Sequence, residues 1–306
     1  MNENITLINS EFIDHIIEMN LELENETFLP INSINYTFSE IGYHTIYFLM
    51  EENIWSFRKM FSENINIISF YSSPLLNTNN ILTISSIFYN CINLKSVDLF
   101  YFNTQNLRNM STVFFGCNSL SSINISSFNT QNVNYMSDLF TNCYSLTSID
   151  LSHFNTQNVK DMGYMFCECH SLTSVDISNF NTKNVISFAG MFDGCYSLKS
   201  INISHFNTHN AEIIYNMFSG CSSLTVLNLS NFETENVRDM QSIFEGCSKL
   251  NYLDISLFSY NNNIIDISSD NLFVGFPSSG TIIINQNFYD KIYGQIPNGW
   301  KKLIKN

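Results

Sequence analysis

The chain has 306 residues, of which 27 are acidic and 13 are Lys or Arg, and its net charge of −14 opposes binding to nucleic acid or to an anionic membrane surface. Apolar residues make up 44% of the chain, which is too many for a disordered protein. The chain does not begin with a basic run and an apolar segment, and it lacks a stretch of about 18 apolar residues, so we expect neither a signal peptide nor a membrane-spanning helix.

The first 52 residues do not fit the repeat that fills the rest of the chain. Residues 34–38 and 44–50 alternate apolar and polar side chains on either side of Gly42, which is typical of a β-hairpin. We therefore predict that residues 1–52 form a small β-rich N-terminal cap.

A repeat of 26 residues dominates the chain. It is marked by seven of the eight cysteines, Cys91, Cys117, Cys143, Cys169, Cys195, Cys221 and Cys247. Each has a Phe three residues before it and a Leu three residues after it. A fixed period of this length is the signature of a solenoid, in which each unit buries its apolar face against its neighbours.

One unit, residues 159–184, illustrates the predicted local structure. Val159, Met162, Phe166 and Cys169 recur at three- and four-residue spacing, which predicts a short helix. Apolar and polar residues then alternate over 174–178, which predicts a half-buried strand, and a polar loop follows. The fold class predicted is an α/β solenoid, a leucine-rich-repeat array of helix–strand units with a continuous parallel β-sheet on one side.

The array is predicted to cover residues 53–285, with clear units over 81–258 and degenerate units on both flanks. Residues 281–285 supply its last strand. Residues 286–306, which include Phe288 and Trp300, are predicted to form a C-terminal cap, because the outermost apolar face would otherwise meet water.

The Met-Phe pair, the Cys that follows, the Leu-rich strand and the Phe-Asn-Thr loop, seen together in Val159–Thr182, resemble the BspA-like leucine-rich repeat. The resemblance covers roughly residues 53–300. It implies a surface protein of a bacterium or protist, exported to the cell surface or secreted, with a role in attachment to host or neighbouring surfaces.

The cysteine column is predicted to consist of buried free thiols. Side chains in a ladder point the same way and not at each other, which disfavours disulfides between coils. Cys167, Cys169 and His170 form one off-pattern cluster, but a zinc site usually has a second such pair, so we predict no metal there.

The outward side of the strands is the candidate partner-binding face. Its central column holds Asp or Asn in every coil, serines flank that column, and larger side chains such as Tyr101 break the serine pattern at both ends. The residues predicted to contact a partner are Asp98, Phe100, Asn124, Asp150, Asp176, Asn202, Val226, Asn228, Tyr252 and Asp254. Two alternatives stay open for the column: a calcium ion shared by Asp150 and Asp176, and plain hydrogen bonding along the stack.

Catalysis has no support in the sequence. The chain contains no Gly-rich phosphate loop, Gly-x-Ser-x-Gly elbow or His-Glu-x-x-His pair, and His153, His205 and His209 fall in variable loop positions. We therefore predict a non-enzymatic protein without a catalytic site, cofactor or metal.

Two hypotheses about function remain. The first is a cell-surface or secreted adhesion and protein-interaction scaffold whose partner is a protein or another cell-surface ligand. The alternative is a cytoplasmic protein–protein interaction scaffold, which the missing signal peptide and the unpaired cysteines favour.

Overall fold

The computed structural model describes residues 4–10, 16–23, 27–30, 35–37, 44–50, 54–260 and 271–305. Within these residues the secondary structure is almost entirely β. The strands are β1 (Asn4–Thr6), β2 (Ile16–Leu23), β3 (Thr27–Pro30), β4 (Asn35–Thr37), β5 (Ile46–Met50), β6 (Ser69–Tyr71), β7 (Ser96–Asp98), β8 (Ser122–Asn124), β9 (Ser148–Asp150), β10 (Ser174–Asp176), β11 (Val226–Asn228), β12 (Tyr252–Ile255), β13 (Gly280–Asn285) and β14 (Trp300–Lys305), and the helix is α1 (Gln286–Ile292).

The repeats form a parallel β-solenoid of about eight coils. A continuous ladder of single parallel bridges links equivalent residues of successive coils: Ser56, Thr83, Asn109, Tyr135, Asp161, Ser187, Ile213 and Asp239. The step along this ladder is 27 residues once and 26 thereafter. The solenoid and its period, both predicted from the sequence, are confirmed.

The predicted helix in each unit is wrong. Residues 163–168 form consecutive turns, and the N–H of Phe166 donates to the carbonyl of Met191 in the next coil at 3.0 Å. Equivalent bonds between coils are made by Phe114 and Phe140. Because these N–H groups bond to the adjacent coil, they are not available for the i to i−4 bonds of an α-helix.

Two residues in each turn segment, four positions apart, adopt positive φ. In one coil these are Tyr164 and Glu168, and in the next they are Gly190 and Gly194. A left-handed residue ends helix propagation, so the chain makes tight turns instead. Such turns still direct residues three and four apart toward the core, which explains why the sequence pattern looks helical.

The strand side is interrupted. Strands β6, β7 and β8 form one parallel sheet, β9 and β10 a second, and β11 to β14 a third. Residues 200–202, which occupy the place of a strand between β10 and β11, are not assigned as one. The predicted continuous sheet is therefore replaced by three short parallel sheets.

A column of stacked phenylalanines runs through the core. Phe140, Phe166 and Phe192 lie face to face, with ring centroids 5.6 and 5.5 Å apart and interplanar angles of 14° and 5°. The column continues to Phe61 at one end and Phe244 at the other. This offset stacking adds to the free energy gained by burying the rings.

The cysteine column is explained by a hydrogen bond. Each of its thiols donates to the carbonyl of the Phe in the preceding coil, as Cys169 does to Phe140 at 3.2 Å. All eight cysteines are buried and unpaired, which confirms the prediction of packed free thiols. Burial raises the pKa of Cys91 to about 12, so the S–H donor is retained at neutral pH.

The Phe-Asn-Thr loop links neighbouring coils through a buried hydroxyl. The Thr156 hydroxyl accepts from the N–H of Asn181 at 2.8 Å and donates to its carbonyl at 3.0 Å. The same threonine is buried in seven consecutive loops: Thr78, Thr104, Thr130, Thr156, Thr182, Thr208 and Thr234. An asparagine two residues later, such as Asn184, donates to a carbonyl of the preceding coil.

The N-terminal strands pair differently from the predicted hairpin. Strand β4 pairs with β1, and β5 pairs with β2, which also pairs with β3, all antiparallel. Gly42, placed at the turn of that hairpin, lies outside the described residues.

At the C-terminal end, β13 joins the parallel sheet beside β12, and β14 follows beside β13. The side chain of Asn285 accepts the N–H of Phe288 and so caps α1. Phe288, Ile292 and Trp300 are buried against the last coils. Among the described residues, no helix is both long enough and apolar enough to cross a membrane.

Candidate partner-binding face

We define the strand face as the outward side chains of β6 to β12 and of residues 200–202, with the two residues that follow each segment. All ten predicted contact residues lie on it. Phe100, Asp150, Asp176, Asn202, Val226 and Asn228 are exposed, Asp98, Asn124 and Tyr252 are half-buried, and Asp254 is buried. The column is thus accessible at its centre and closed at its C-terminal end, and its contact with a partner stays a prediction.

The Asp and Asn column has a structural role in every coil. Each side-chain oxygen accepts the N–H of the residue two positions later, as in Asp150 to Ser152 at 2.9 Å and Asp176 to Ser178 at 3.0 Å. This bond forms an Asx turn that ends the strand. Asn124 also donates to Asp98 across the coils at 3.1 Å. The recurrence of Asp or Asn therefore follows from the turn and does not require a ligand.

These bonds shift the titration of the two central carboxyls. Hydrogen bonds from the Ser152 side chain and backbone lower the pKa of Asp150, and bonds from Ser178 lower the pKa of Asp176. The nearby charge of Asp150 acts on Asp176 in the opposite direction but is a smaller effect. Both groups are ionised at neutral pH.

Replacement of both residues by Asn, the residue that other coils hold, is expected to reduce the acid sensitivity of the fold. A folded-state pKa below the ordinary value of about 3.9 contributes stability above that pH and loses it as the pH falls through the folded pKa. The melting temperature of D150N/D176N should therefore fall less between pH 5 and pH 2.5 than that of the wild type. An equal fall in both proteins would contradict this role of the two carboxylates.

Three exposed aromatic side chains lie at the N-terminal end of the strand face, on the two neighbouring coils that hold β6 and β7. We name Tyr71, Phe100 and Tyr101 the aromatic end cluster. Phe100 and Tyr101 contact edge to face, with centroids 5.2 Å apart, and Tyr71 lies beside Asp98 in the strand pairing. Their exposed fractions are 69% for Tyr71, 47% for Phe100 and 48% for Tyr101. The scaffold does not need these rings. Other coils hold Asp or Asn at the Tyr71 column and Ser at the Phe100 column, and most hold Ser, Asn or His at the Tyr101 column.

Sequence reasoning identified Phe100 and Tyr101 but missed Tyr71. The first coil is divergent and its link to the second is one residue longer, which hides the register. The helix-to-strand template could have found Tyr71, because Ile67 fits the Leu94 position and places Tyr71 opposite Asp98.

The C-terminal end of the face is less open than predicted. Val226 is 49% exposed, but Tyr252 is half-buried and Asp254 is only 5% exposed. The carboxylate of Asp254 accepts the N–H of Ser256 and lies 4.0 Å from the ammonium group of Lys305. Strands β13 and β14 extend the sheet beside β12 and so cover this end.

The off-pattern cluster around Cys167 contains a contact between a histidine and a carboxylate, together with a stack of rings. His170 contacts the Glu168 carboxylate and lies between Tyr144 and Tyr196, with ring centroids 4.5 and 4.7 Å away. Desolvation, reinforced by nearby acidic side chains, raises the pKa of Cys167 to about 12. A protonated thiol is a poor metal ligand and a poor nucleophile.

Comparison with known proteins assigns a family. No curated protein matches the chain. The family model described as "Mycoplasma protein of unknown function, DUF285" matches residues 55–174 and 145–258, which together are two-thirds of the chain. These residues are the coils of the solenoid, and the chain therefore belongs to the DUF285 family.

Proposed function

We propose that this protein is a non-enzymatic binding scaffold that holds a protein or other cell-surface ligand against the strand face. The observation that most directly supports this proposal is the aromatic end cluster. Three large rings are exposed at this end of the strand face, at columns where most other coils hold Asp, Asn, Ser or His. Solvent-exposed Tyr and Phe side chains supply contact area at low entropic cost, and aromatic residues are enriched in interface cores.

The rest of the strand face is polar, as the rim of a protein interface usually is. Its Asp and Asn side chains are held in place by the Asx turns, so little of their side-chain entropy is lost when a partner binds. The net charge of −14 favours a partner that presents basic groups.

The resemblance of the repeat to the BspA-like leucine-rich repeat supports a cell-surface or secreted location and a role in adhesion. The eight unpaired thiols favour the alternative, a cytoplasmic interaction scaffold, because reducing compartments keep thiols free. Protease treatment of intact producing cells separates the two: cleavage of the protein supports the first, and full protection supports the second.

Binding of the fluorescently labelled chain to a panel of host-type cells and extracellular-matrix proteins tests the scaffold itself. We expect saturable binding that F100S, which installs the residue of most other coils, weakens about tenfold, since truncation of an interface anchor costs 1 kcal/mol or more. Y71D and Y101N should have similar effects.

The matched control is Y293S, which removes a ring about as exposed as that of Tyr71 from the end of α1, outside the strand face. This variant should bind like the wild type. The same affinity in F100S and the wild type, or saturable binding to none of the surfaces, would contradict the proposal.

A further inference from the structure

Three side chains from two successive loops lie close together, and each differs from the residue that most other loops hold at the same position. His209 and Glu235 occupy the same column in successive loops, and Glu233 precedes Glu235 by two positions. At the His209 column the earlier loops hold Gln105, Gln131, Gln157 and Lys183, and at the Glu233 column they hold Asn103, Asn129, Asn155, Asn181 and Asn207. The repeat itself therefore does not call for an imidazole or a carboxylate at these places.

The spacing of these side chains suits a small metal ion. The Nδ1 atom of His209 lies 3.0 Å from Oε2 of Glu233 and 3.3 Å from Oε1 of Glu235. One ligand atom from each residue lies within 4.8 Å of the other two. Ligands at the usual zinc distances of about 2.0–2.2 Å are roughly 3.3 Å apart in a tetrahedron, so small side-chain rotations complete the arrangement.

The backbone that carries the three residues is fixed by the scaffold. The carbonyl of Glu233 accepts from the Thr208 hydroxyl at 3.0 Å, and the carbonyl of His209 accepts from the Asn236 amide at 2.7 Å. The other loops make the same bonds with their own residues. The ligands are thus preorganised, and the fold does not depend on them.

The histidine determines which ion the site suits. Calcium and magnesium prefer oxygen ligands, whereas imidazole with carboxylate is a donor set for zinc and other divalent transition metals. Two carboxylates balance the charge of a divalent ion. All three residues are exposed, which leaves the rest of the coordination sphere open to water or to a donor group of a partner.

We propose that His209, Glu233 and Glu235 form a surface site for a divalent transition-metal ion, with Zn²⁺ as the best fit. This proposal does not rest on the proposed binding function. It departs from the sequence-based expectation of no metal site, which rested on the Cys167, Cys169 and His170 cluster having no second pair of ligands and did not consider the two glutamates.

Competition with a chromophoric chelator tests the site. The full chain, freed of metal with EDTA, is titrated with Zn²⁺ alone. We expect one ion per chain, and an affinity at least tenfold lower in H209Q, E233N and E235Q, each of which installs the residue of other loops; even the loss of a second-shell partner costs 10- to 100-fold. In the wild type alone, zinc should also shift the ring resonances of His209 in an NMR spectrum.

The control is H170Y, which removes the other His–Glu pair and installs the residue found one coil before and one coil after. This variant should bind zinc like the wild type. The proposal is overturned if the wild type takes up no zinc, if H209Q binds as tightly as the wild type, or if H170Y is the variant that loses affinity.

Discussion

A chain that lacks residues 159–184 is expected to fold cooperatively, whereas a chain that lacks residues 159–171 is not. The first deletion removes one full period and joins Asn158 to Val185, so every column continues with residues of the same kind. Thr156 then faces Asn207 in place of Asn181, and Phe140 faces Phe192 in place of Phe166. Stability in a solenoid is approximately a sum over coils and their interfaces, so the loss is modest.

The 13-residue deletion joins Asn158 to Leu172 and removes Phe166 and Cys169 from their columns. The Phe stack, the thiol bond and the bonds between turns are then broken together, and apolar faces on both sides lose their cover. Thermal melts followed by circular dichroism should show a single sharp transition for the wild type and the first deletion, and no cooperative transition for the second. If the two deletion variants melted in the same way, stacking of successive coils could not be the source of the protein's stability.

The repeat, the core and the place of each column could be predicted because one observation fixes them all. Residues that recur every 26 positions in a stack must occupy equivalent places. The prediction extended to the last strand, since residues 281–285 do lie in β13. The buried faces of Phe, Cys and Leu follow from the same step.

The spacing of apolar residues alone could not exclude the helix, because two different backbones place the same side chains inward. A helical turn and a pair of tight turns both bring residues 162, 165, 166 and 169 to one side. The two backbones differ in the hydrogen-bond acceptor of each N–H group. In this protein the N–H of Phe166 donates to a carbonyl of the neighbouring coil. Neither Tyr164 nor Glu168 signals positive φ by itself, but the column of Glu168 does, because most other coils hold Gly or Asn there: Asn90, Gly116, Asn142, Gly194, Gly220 and Gly246.

The candidate sites were predicted only where they lie in the repeat. The ten residues of the strand face follow from the columns, and their exposure varies because the ends of the solenoid are covered differently. The trio of His209, Glu233 and Glu235 was missed because each residue alone reads as a variable loop position. Their proximity emerges only when two loops are stacked.

The buried threonine of the Phe-Asn-Thr loop is expected to be the most sensitive polar side chain of the array. In T156V the shape is kept but the hydroxyl is lost, so the N–H and the carbonyl of Asn181 lose the partner that joins the coils. Leaving such groups unpaired costs about 1–3 kcal/mol, and we expect the free energy of unfolding to fall by about 2 kcal/mol. Urea denaturation measures this as a lower midpoint with an unchanged slope.

The same substitution at an exposed position of the same coil serves as the control. The Thr173 hydroxyl also donates to the preceding coil, but it does so in contact with water, which can replace the bond. T173V should therefore change the free energy of unfolding by less than about 0.5 kcal/mol. Hydrogen exchange gives a local readout, since the Asn181 amide should exchange faster in T156V and not in T173V. If the two variants are equally stable and the Asn181 amide stays protected in both, the threonine ladder does not hold the coils together, and the apolar columns alone must set their register.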